Sequence, residues 1–202
     1  MPERILLVDM GGVFFSYSFE QALDHWAAAA GADPARLKAA WKIDEPFDAF
    51  ERGEITPDAY LSHLRGLLGV DLTDHQLAAG WCAIYGPVNS GLVDLLQKPA
   101  IRSRFAAVVG VSNTNELHAR VWPELYGEQL PVLDEVVCSY TIGTTKPRVE
   151  FFDHVAERHQ TPRDRMVLVD DIPLVTATAT ELGLTAHTYT STGELAAFLT
   201  AV

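Results

Sequence analysis

From residue 87 onward the chain alternates without interruption between helical patterns and short apolar runs. Helical periodicity over Asn89 to Gln97 leads to the run Ala106 to Val111, and Glu116 to Tyr126 leads to Glu135 to Cys138. Val149 to His159 leads to Met166 to Val169. A helix through Leu182, stopped at Gly183, leads to Leu184 to Tyr189, and a last helix lies near Glu194 to Thr200. Strict alternation of this kind predicts an open parallel sheet with helices on both faces. The run Ile5-Leu6-Leu7-Val8 has the composition of a strand buried on both sides and belongs to the same sheet.

Between that first run and the alternating part, about Phe19 to Tyr85 reads as helical throughout. Phe19, Ala22, Leu23, Trp26 and Ala30 fall at helical spacing ahead of a Gly31 stop, and Pro34 opens a second helix. Glu51-Arg52-Gly53-Glu54 reads as a turn. Thr56 with Pro57 begins the next helix, and Thr73 with Gln76 offers a capping box for another. No strand is expected in this block. The predicted organisation is therefore α/β, a Rossmann-like core of residues 1–15 and 87–202, with residues 16–86 inserted as a small helical cap domain over the carboxyl edge of the sheet.

Composition narrows the partners. A net charge of −12, with 27 acidic against 15 basic residues and no basic cluster, argues against nucleic acid and against an anionic membrane surface. Pro2, Glu3 and Arg4 run straight into the first strand, so no secretory leader is expected, and no apolar run approaches the ~20 residues that span a bilayer. Cys82 and Cys138 lie far apart and form no CxxC pair, as for reduced thiols in a cytoplasmic protein. The seven histidines show no metal-ligand spacing and read as surface or internally satisfied side chains. Nothing in the sequence assigns an oligomeric state.

In an open parallel sheet, ligands bind beyond the carboxyl ends of the strands. The residues expected there are Asp9-Met10-Gly11, Ser112-Asn113-Thr114-Asn115, the Lys146 of Gly143-Thr144-Thr145-Lys146-Pro147, and Asp170-Asp171. Singly, each has an ordinary explanation: a turn aspartate, a helix-capping Ser or Asn, a surface lysine, a turn pair. Together at one edge they gather three carboxylates, a hydroxyl and an ammonium. Hard oxygen ligands of this kind suit Mg²⁺ shared with a substrate phosphate.

Asp9-x-Gly11-Gly12-Val13, Ser112, Lys146-Pro147 and Asp170-Asp171, in that order, resemble the four motifs of the haloacid dehalogenase-like (HAD) hydrolase superfamily. The resemblance spans the whole chain, and the helical insert is similar to the small helical cap of that superfamily. A narrower likeness, to sugar phosphatases of the α-D-glucose-1-phosphate phosphatase type, rests on Glu51-Arg52-Gly53-Glu54-Ile55, Ser112-Asn113-Thr114-Asn115 and Trp122-Pro123-Glu124. The resemblance implies a Mg²⁺-dependent phosphatase acting on a small phosphorylated metabolite. Asp9 would be the nucleophile, with Ser112 and Lys146 as its catalytic partners. Gly11, Ser112, Asn113 and Lys146 would line the phosphate. Asp9, the Gly11 carbonyl, Asp170 and Asp171 would hold the metal.

Two positions depart from the pattern. Many of these phosphatases carry a second aspartate two residues after the nucleophile, which protonates the leaving group; this chain has Gly11. Such a glycine favours esters whose leaving group needs little protonation, unless the helical insert supplies an acid. Ile172 and Val175 stand where relatives often place asparagines. These departures leave open a catalytically impaired member that binds a phosphometabolite or a partner. A 2-haloacid dehalogenase would use the same Asp9, but its metal-free chemistry has no use for the Asp170-Asp171 pair.

Overall fold

The computed structural model describes residues 3–202. Met1 and Pro2, which begin the expected first core segment and the leader reading, lie outside the described residues.

The chain opens with strand β1 (Ile5–Asp9) and a short strand β2 (Phe15–Tyr17). Five helices follow: α1 (Phe19–Ala30), α2 (Pro34–Ala40), α3 (Glu45–Glu51), α4 (Pro57–Leu68) and α5 (Asp74–Cys82). Strand β3 (Tyr85–Val88) precedes α6 (Ser90–Gln97), α7 (Pro99–Arg102), β4 (Ala107–Ser112) and α8 (Glu116–Tyr126). The remainder runs β5 (Glu135–Cys138), α9 (Ser139–Ile142), α10 (Val149–His159), β6 (Met166–Asp170), α11 (Pro173–Glu181), β7 (Thr185–Thr188) and α12 (Thr192–Ala201).

Five strands form a parallel sheet in the order β5-β4-β1-β6-β7, which puts the amino-terminal strand at its centre. Every residue of β1 is buried, because helices cover both faces. The period-2 alternation of a strand sorts its side chains between two cores. Leu6 and Val8 join Val108, Val167, Leu92 and Leu199, whereas Ile5 and Leu7 join Val109, Leu168, Phe151 and Val155. Asp9 pairs with Val111 in the register of β1 and β4, while Val8 pairs with Val169 of β6. Asp9, Ser112 and Asp170 therefore finish three neighbouring strands at one edge.

Helices α1 to α5 share a third, aromatic-rich core around Trp26, Phe47, Phe50, Tyr60 and Trp81. The sequence signals that start and stop these helices act as read. The Ser18 side chain caps α1 and Gly31 ends it in the left-handed conformation; Thr56 and Pro57 begin α4; Thr73 and Gln76 form the capping box of α5. Gly80 permits the tightest contact of this core, since a Cβ there would sit 2.1 Å from Trp26 Nε1. That indole in turn donates to the Leu77 carbonyl at 3.0 Å.

Two features differ from the sequence expectation. The helical block is bounded by an antiparallel ribbon of β2 and β3, where Phe15 pairs with Val88 and Tyr17 with Tyr85. Its strands are short, and one contains Gly86 and Pro87, both depleted in strands, so no strand pattern announces it. The expected boundaries at 15/16 and 86/87 fall within this ribbon. The second difference is α3, which carries Glu51 as its last residue rather than in a turn. Asp44 caps it and Pro46 occupies its first turn, but seven residues are too few to show a helical period.

Candidate active site

The three central strands each deliver a polar side chain to the carboxyl edge from a buried backbone. Asp9 terminates β1 and Asp170 terminates β6, both buried. The Lys146 ammonium lies between them, donating to Asp9 Oδ1 and to Asp170 Oδ2 at 2.6 Å each and to the Val111 carbonyl at 3.3 Å. Its side chain is only 3% exposed, so these charges meet with little water to screen them.

The loop that carries Lys146 is fixed by Asn113. The Asn113 side-chain amide donates to the Lys146 carbonyl and its Oδ1 accepts from the Lys146 amide, both at 2.8 Å. Asn113, predicted to line the phosphate, thus spends its side chain on placing Lys146. Ser112 is buried at the end of β4, with its hydroxyl only 3.4 Å from the Asn113 carbonyl, a weak local bond that a better acceptor would displace.

Asp171 completes the group: carboxylate oxygens of Asp9, Asp170 and Asp171 lie within 4.8 Å of one another. Gly12 makes this approach possible. It has φ +90, and a Cβ on it would lie 2.2 Å from Asp171 Oδ2. Asp170 has both oxygens engaged, Oδ2 by Lys146 and Oδ1 by the Ile172 amide at 3.0 Å. It is therefore the least free of the three to move toward a ligand.

The electrostatics follow from burial. Burial pushes the Asp9 carboxyl up to about 7, helped by the charges of Asp170 and Asp171 and opposed by Lys146. Asp171 is raised for the same reasons, burial first and Asp170 second. Burial alone would lower Lys146, but Asp9 and Asp170 outweigh it and hold the ammonium above its ordinary value. Two buried carboxylates and the more exposed Asp171 beside one ammonium leave excess negative charge, an arrangement that a hard divalent cation or a proton relieves.

Above these residues is a cavity of about 230 Å³. Its floor holds Asp9, Gly11, Ser112, Asn113, Lys146 and Asp170, while Phe19, Ile43, Phe47 and Glu51 reach it from the helical block. Ile172 and Val175 line its rim; Ile172 is half exposed and Val175 belongs to the sheet core. Gly11 lies under Tyr17: a Cβ at position 11 would sit 3.1 Å from the tyrosine ring. The ribbon thus fills the space into which a side chain at position 11 would project.

One neighbour carries a hydrogen-bond network that sequence reading does not find. His118 is buried, with Nε2 2.9 Å from the Trp81 carbonyl and Nδ1 3.1 Å from the Asn115 side-chain amide. Burial pushes this imidazole down to about 4, so it is neutral, accepting at Nδ1 and donating at Nε2. The Trp81 indole also donates to Asn115 Oδ1 at 3.2 Å. Asn115 both caps α8 and ties it to α5, and the histidine is satisfied, as its lack of metal spacing suggested.

No family model matches the chain. Among curated proteins it is similar to the D-ribitol-5-phosphate phosphatase of Bacteroides thetaiotaomicron, with 25% identity over 173 residues, 82% of each chain. Among solved structures it resembles a HAD family enzyme from the same organism in complex with magnesium and inorganic phosphate (TM-score 0.78, 24% identity, 93% of this chain and 94% of that one). It also resembles a predicted HAD-like family hydrolase from Porphyromonas gingivalis (TM-score 0.76, 20% identity, 93% and 91%). The narrower likeness to the α-D-glucose-1-phosphate type finds no support among these relatives. With the five-stranded parallel sheet, the flanking helices and these neighbours together, the chain has the fold of the haloacid dehalogenase-like hydrolases.

Proposed function

We propose that the chain is a Mg²⁺-dependent phosphatase that hydrolyses a small phosphorylated metabolite, a sugar or sugar-alcohol phosphate, through an aspartyl phosphate on Asp9. The observation that carries this reading is the Asp9–Lys146–Asp170 cluster, buried at the sheet edge with Asp171 beside it. An Asp9 oxygen bonds to phosphorus as the ester oxygen departs, and water then cleaves the acyl phosphate. Lys146 and the Ser112 hydroxyl face the phosphoryl oxygens, whose charge grows in the transition state, so fixed donors in a dry cavity act strongly. Asn113 supports this by locking the Lys146 backbone.

The three clustered carboxylates fit a hard cation, and Asp9, the Gly11 carbonyl, Asp170 and Asp171 would hold it. When bound, the ion would supply positive charge to the phosphoryl group. Asp171 and Asp9 would be the freer ligands, whereas both Asp170 oxygens already accept hydrogen bonds, from Lys146 and the Ile172 amide. The relative named for D-ribitol 5-phosphate and the neighbour solved with magnesium and phosphate support the substrate class and the metal. The division into a core of 1–15 and 87–202 and a helical cap of 16–86 belongs to the same proposal, with the separate aromatic core of α1 to α5 as its support. So does a cytoplasmic location: both cysteines are free thiols, and among the described residues no helix is long and apolar enough to cross a membrane.

A second reading has one specific observation behind it. Gly11 has no side chain and Tyr17 closes the space above it, as suits a protein that binds a phosphate ester without turning it over. A phosphatase screen over sugar, polyol and aryl phosphates, run with Mg²⁺, with excess chelator and with Asp9→Asn, separates the two. Turnover that needs both Mg²⁺ and Asp9 is expected. Activity untouched by chelator revives the metal-free dehalogenase chemistry, and saturable binding without turnover establishes the binding protein.

A further inference from the structure

The cavity has a nucleophile, phosphate donors and a candidate metal site, but the position two residues beyond the nucleophile carries no acid. Departure of an alcohol from phosphorus without a proton leaves an alkoxide, and a positioned acid is worth ~10²–10⁴-fold for such a step. Among the described residues lining the cavity, most titratable side chains are already committed. Asp9 is the nucleophile, Lys146 is held between two carboxylates, Asp170 has both oxygens engaged, and His118 has both ring nitrogens engaged. The phenols of Tyr17 and Tyr85 are pushed above their ordinary value, chiefly by burial, and match neutral operation poorly.

Glu51 remains. It ends α3 and reaches the cavity from the roof, across from the floor that carries Asp9. Its main chain is pinned to the core: the Ser139 hydroxyl, at the start of α9, donates to the Glu51 carbonyl at 2.6 Å and accepts from the Thr114 amide at 2.9 Å. One side chain thus fixes Glu51 against the loop that follows Ser112. Among the described residues, no side chain bonds to the Glu51 carboxyl, whereas Glu54 and Glu45 are both engaged by the neighbouring Arg52.

We propose that Glu51 is the acid–base residue of this enzyme, supplied by the helical block in place of the side chain missing at Gly11. This rests on the phosphatase reading above. In the first step an Asp9 oxygen bonds to phosphorus, the phosphorus–ester oxygen bond breaks, and the Glu51 carboxyl proton passes to the departing oxygen to give the alcohol. In the second, water attacks phosphorus and gives a proton to the Glu51 carboxylate as the Asp9–phosphorus bond breaks. The sum is ester plus water to alcohol plus phosphate, with Asp9 and Glu51 restored.

The surroundings suit the role. Burial pushes the Glu51 carboxyl up to about 7, Asp48 on the preceding turn adds to the rise, and Lys146 opposes it. The other groups facing it are Tyr17 on β2 and Tyr60 on α4, both phenols raised by burial and so neutral near pH 7. His63 of α4 is turned to Asp44 at 3.0 Å. A carboxyl that titrates near neutrality can donate in one step and accept in the next.

The test compares wild type, Glu51→Gln and Asp9→Asn on phosphate monoesters of graded leaving-group pKa, from p-nitrophenyl phosphate to a primary alkyl phosphate. Wild type is expected to show a shallow dependence. Glu51→Gln is expected to lose ~10² or more in kcat/KM, which reports the transfer to Asp9 and not the shared hydrolysis step, on the alkyl ester but less than ~10 on the aryl ester. The basic limb near pH 7 in the wild-type alkyl profile should vanish in the variant. Equal losses on both esters would make Glu51 a structural or binding residue and overturn the proposal, as would an alkyl rate that Glu51→Gln leaves intact. If instead no ester is hydrolysed, or hydrolysis survives Asp9→Asn, the phosphatase reading itself falls and takes Glu51 with it.

Discussion

The floor and the roof of the cavity are built on opposite terms. The floor is a set of charged side chains at strand ends, with Lys146 bonded to two carboxylates and its loop clamped by Asn113. The roof is apolar, with Phe19, Ile43 and Phe47 around one carboxyl, Glu51. The floor's backbone belongs to a sheet buried on both faces; the roof's belongs to short helices packed on aromatic rings. The contrast divides the labour. In the proposed mechanism, phosphoryl transfer would sit on the rigid element, whereas substrate shape and the leaving-group proton would belong to the part that differs in construction.

The sharpest way to break the floor is to remove its cation. Lys146→Met leaves Asp9 and Asp170 facing each other in a dry site, and losing one partner of a buried pair costs about 3–5 kcal/mol. Urea unfolding without metal at pH 8 should show that loss, and added Mg²⁺ should recover part of it. A change below about 1 kcal/mol would mean that the floor is wetter than its burial indicates.

A smaller effect is expected from crowding the roof. Gly80→Ala drives a Cβ into the Trp26 indole, and overpacking of this kind costs about 1–3 kcal/mol. Because Gly80 lies in the aromatic core and not on the floor, p-nitrophenyl phosphate turnover per folded molecule should fall much less than stability does. If both collapse together, floor and roof are one cooperative unit and the contrast drawn above fails.

The smallest expected change has the opposite sign. Glu51 has a folded-state pKa of about 7 against an ordinary 4.5, so the folded chain binds its proton more tightly than the unfolded chain. Stability is therefore lost as pH rises through that window, and above it the buried carboxylate is a standing cost. Glu51→Gln should stabilise the protein on the order of 1–2 kcal/mol at pH 8 and leave it nearly unchanged at pH 4. Thermal unfolding at the two pH values checks this; a variant less stable at pH 8 would show that the charged form is favoured in the fold.

The same contrast explains what could be read in advance. The sheet was legible because Ile5 to Val8, Val108 to Val111 and Met166 to Val169 need only an apolar composition and a length to declare a buried strand. Asp9, Ser112 and Asp170 followed from it, since polar residues that end neighbouring strands of such a sheet converge at one edge. Helix starts at Thr56 and Thr73 were legible because their signal is local. The β2–β3 ribbon was not, because its pairing joins residues about seventy apart and includes Gly86 and Pro87. Glu51 looked like a turn residue for a related reason: its burial, which raises its pKa, comes from the packing of α3 and the Ser139 tether, both tertiary. Asn113 gave no sign that its side chain would serve the Lys146 backbone.

The central place of β1 has a consequence for how the protein is made. Strand β1 lies between β4 and β6, whose residues leave the ribosome about one hundred and one hundred and sixty positions after it. At ~5–20 residues per second, Ile5-Leu6-Leu7-Val8 spends several seconds or more as an unpaired apolar segment, while α1 to α5, whose partners are near in sequence, can already pack. Pulse-labelled hydrogen exchange on stalled nascent chains should find amides of α4 and α5 protected before those of β1. Asp9, the proposed nucleophile, would then be among the last residues set in place, and a half-made chain would be sticky before it could be reactive.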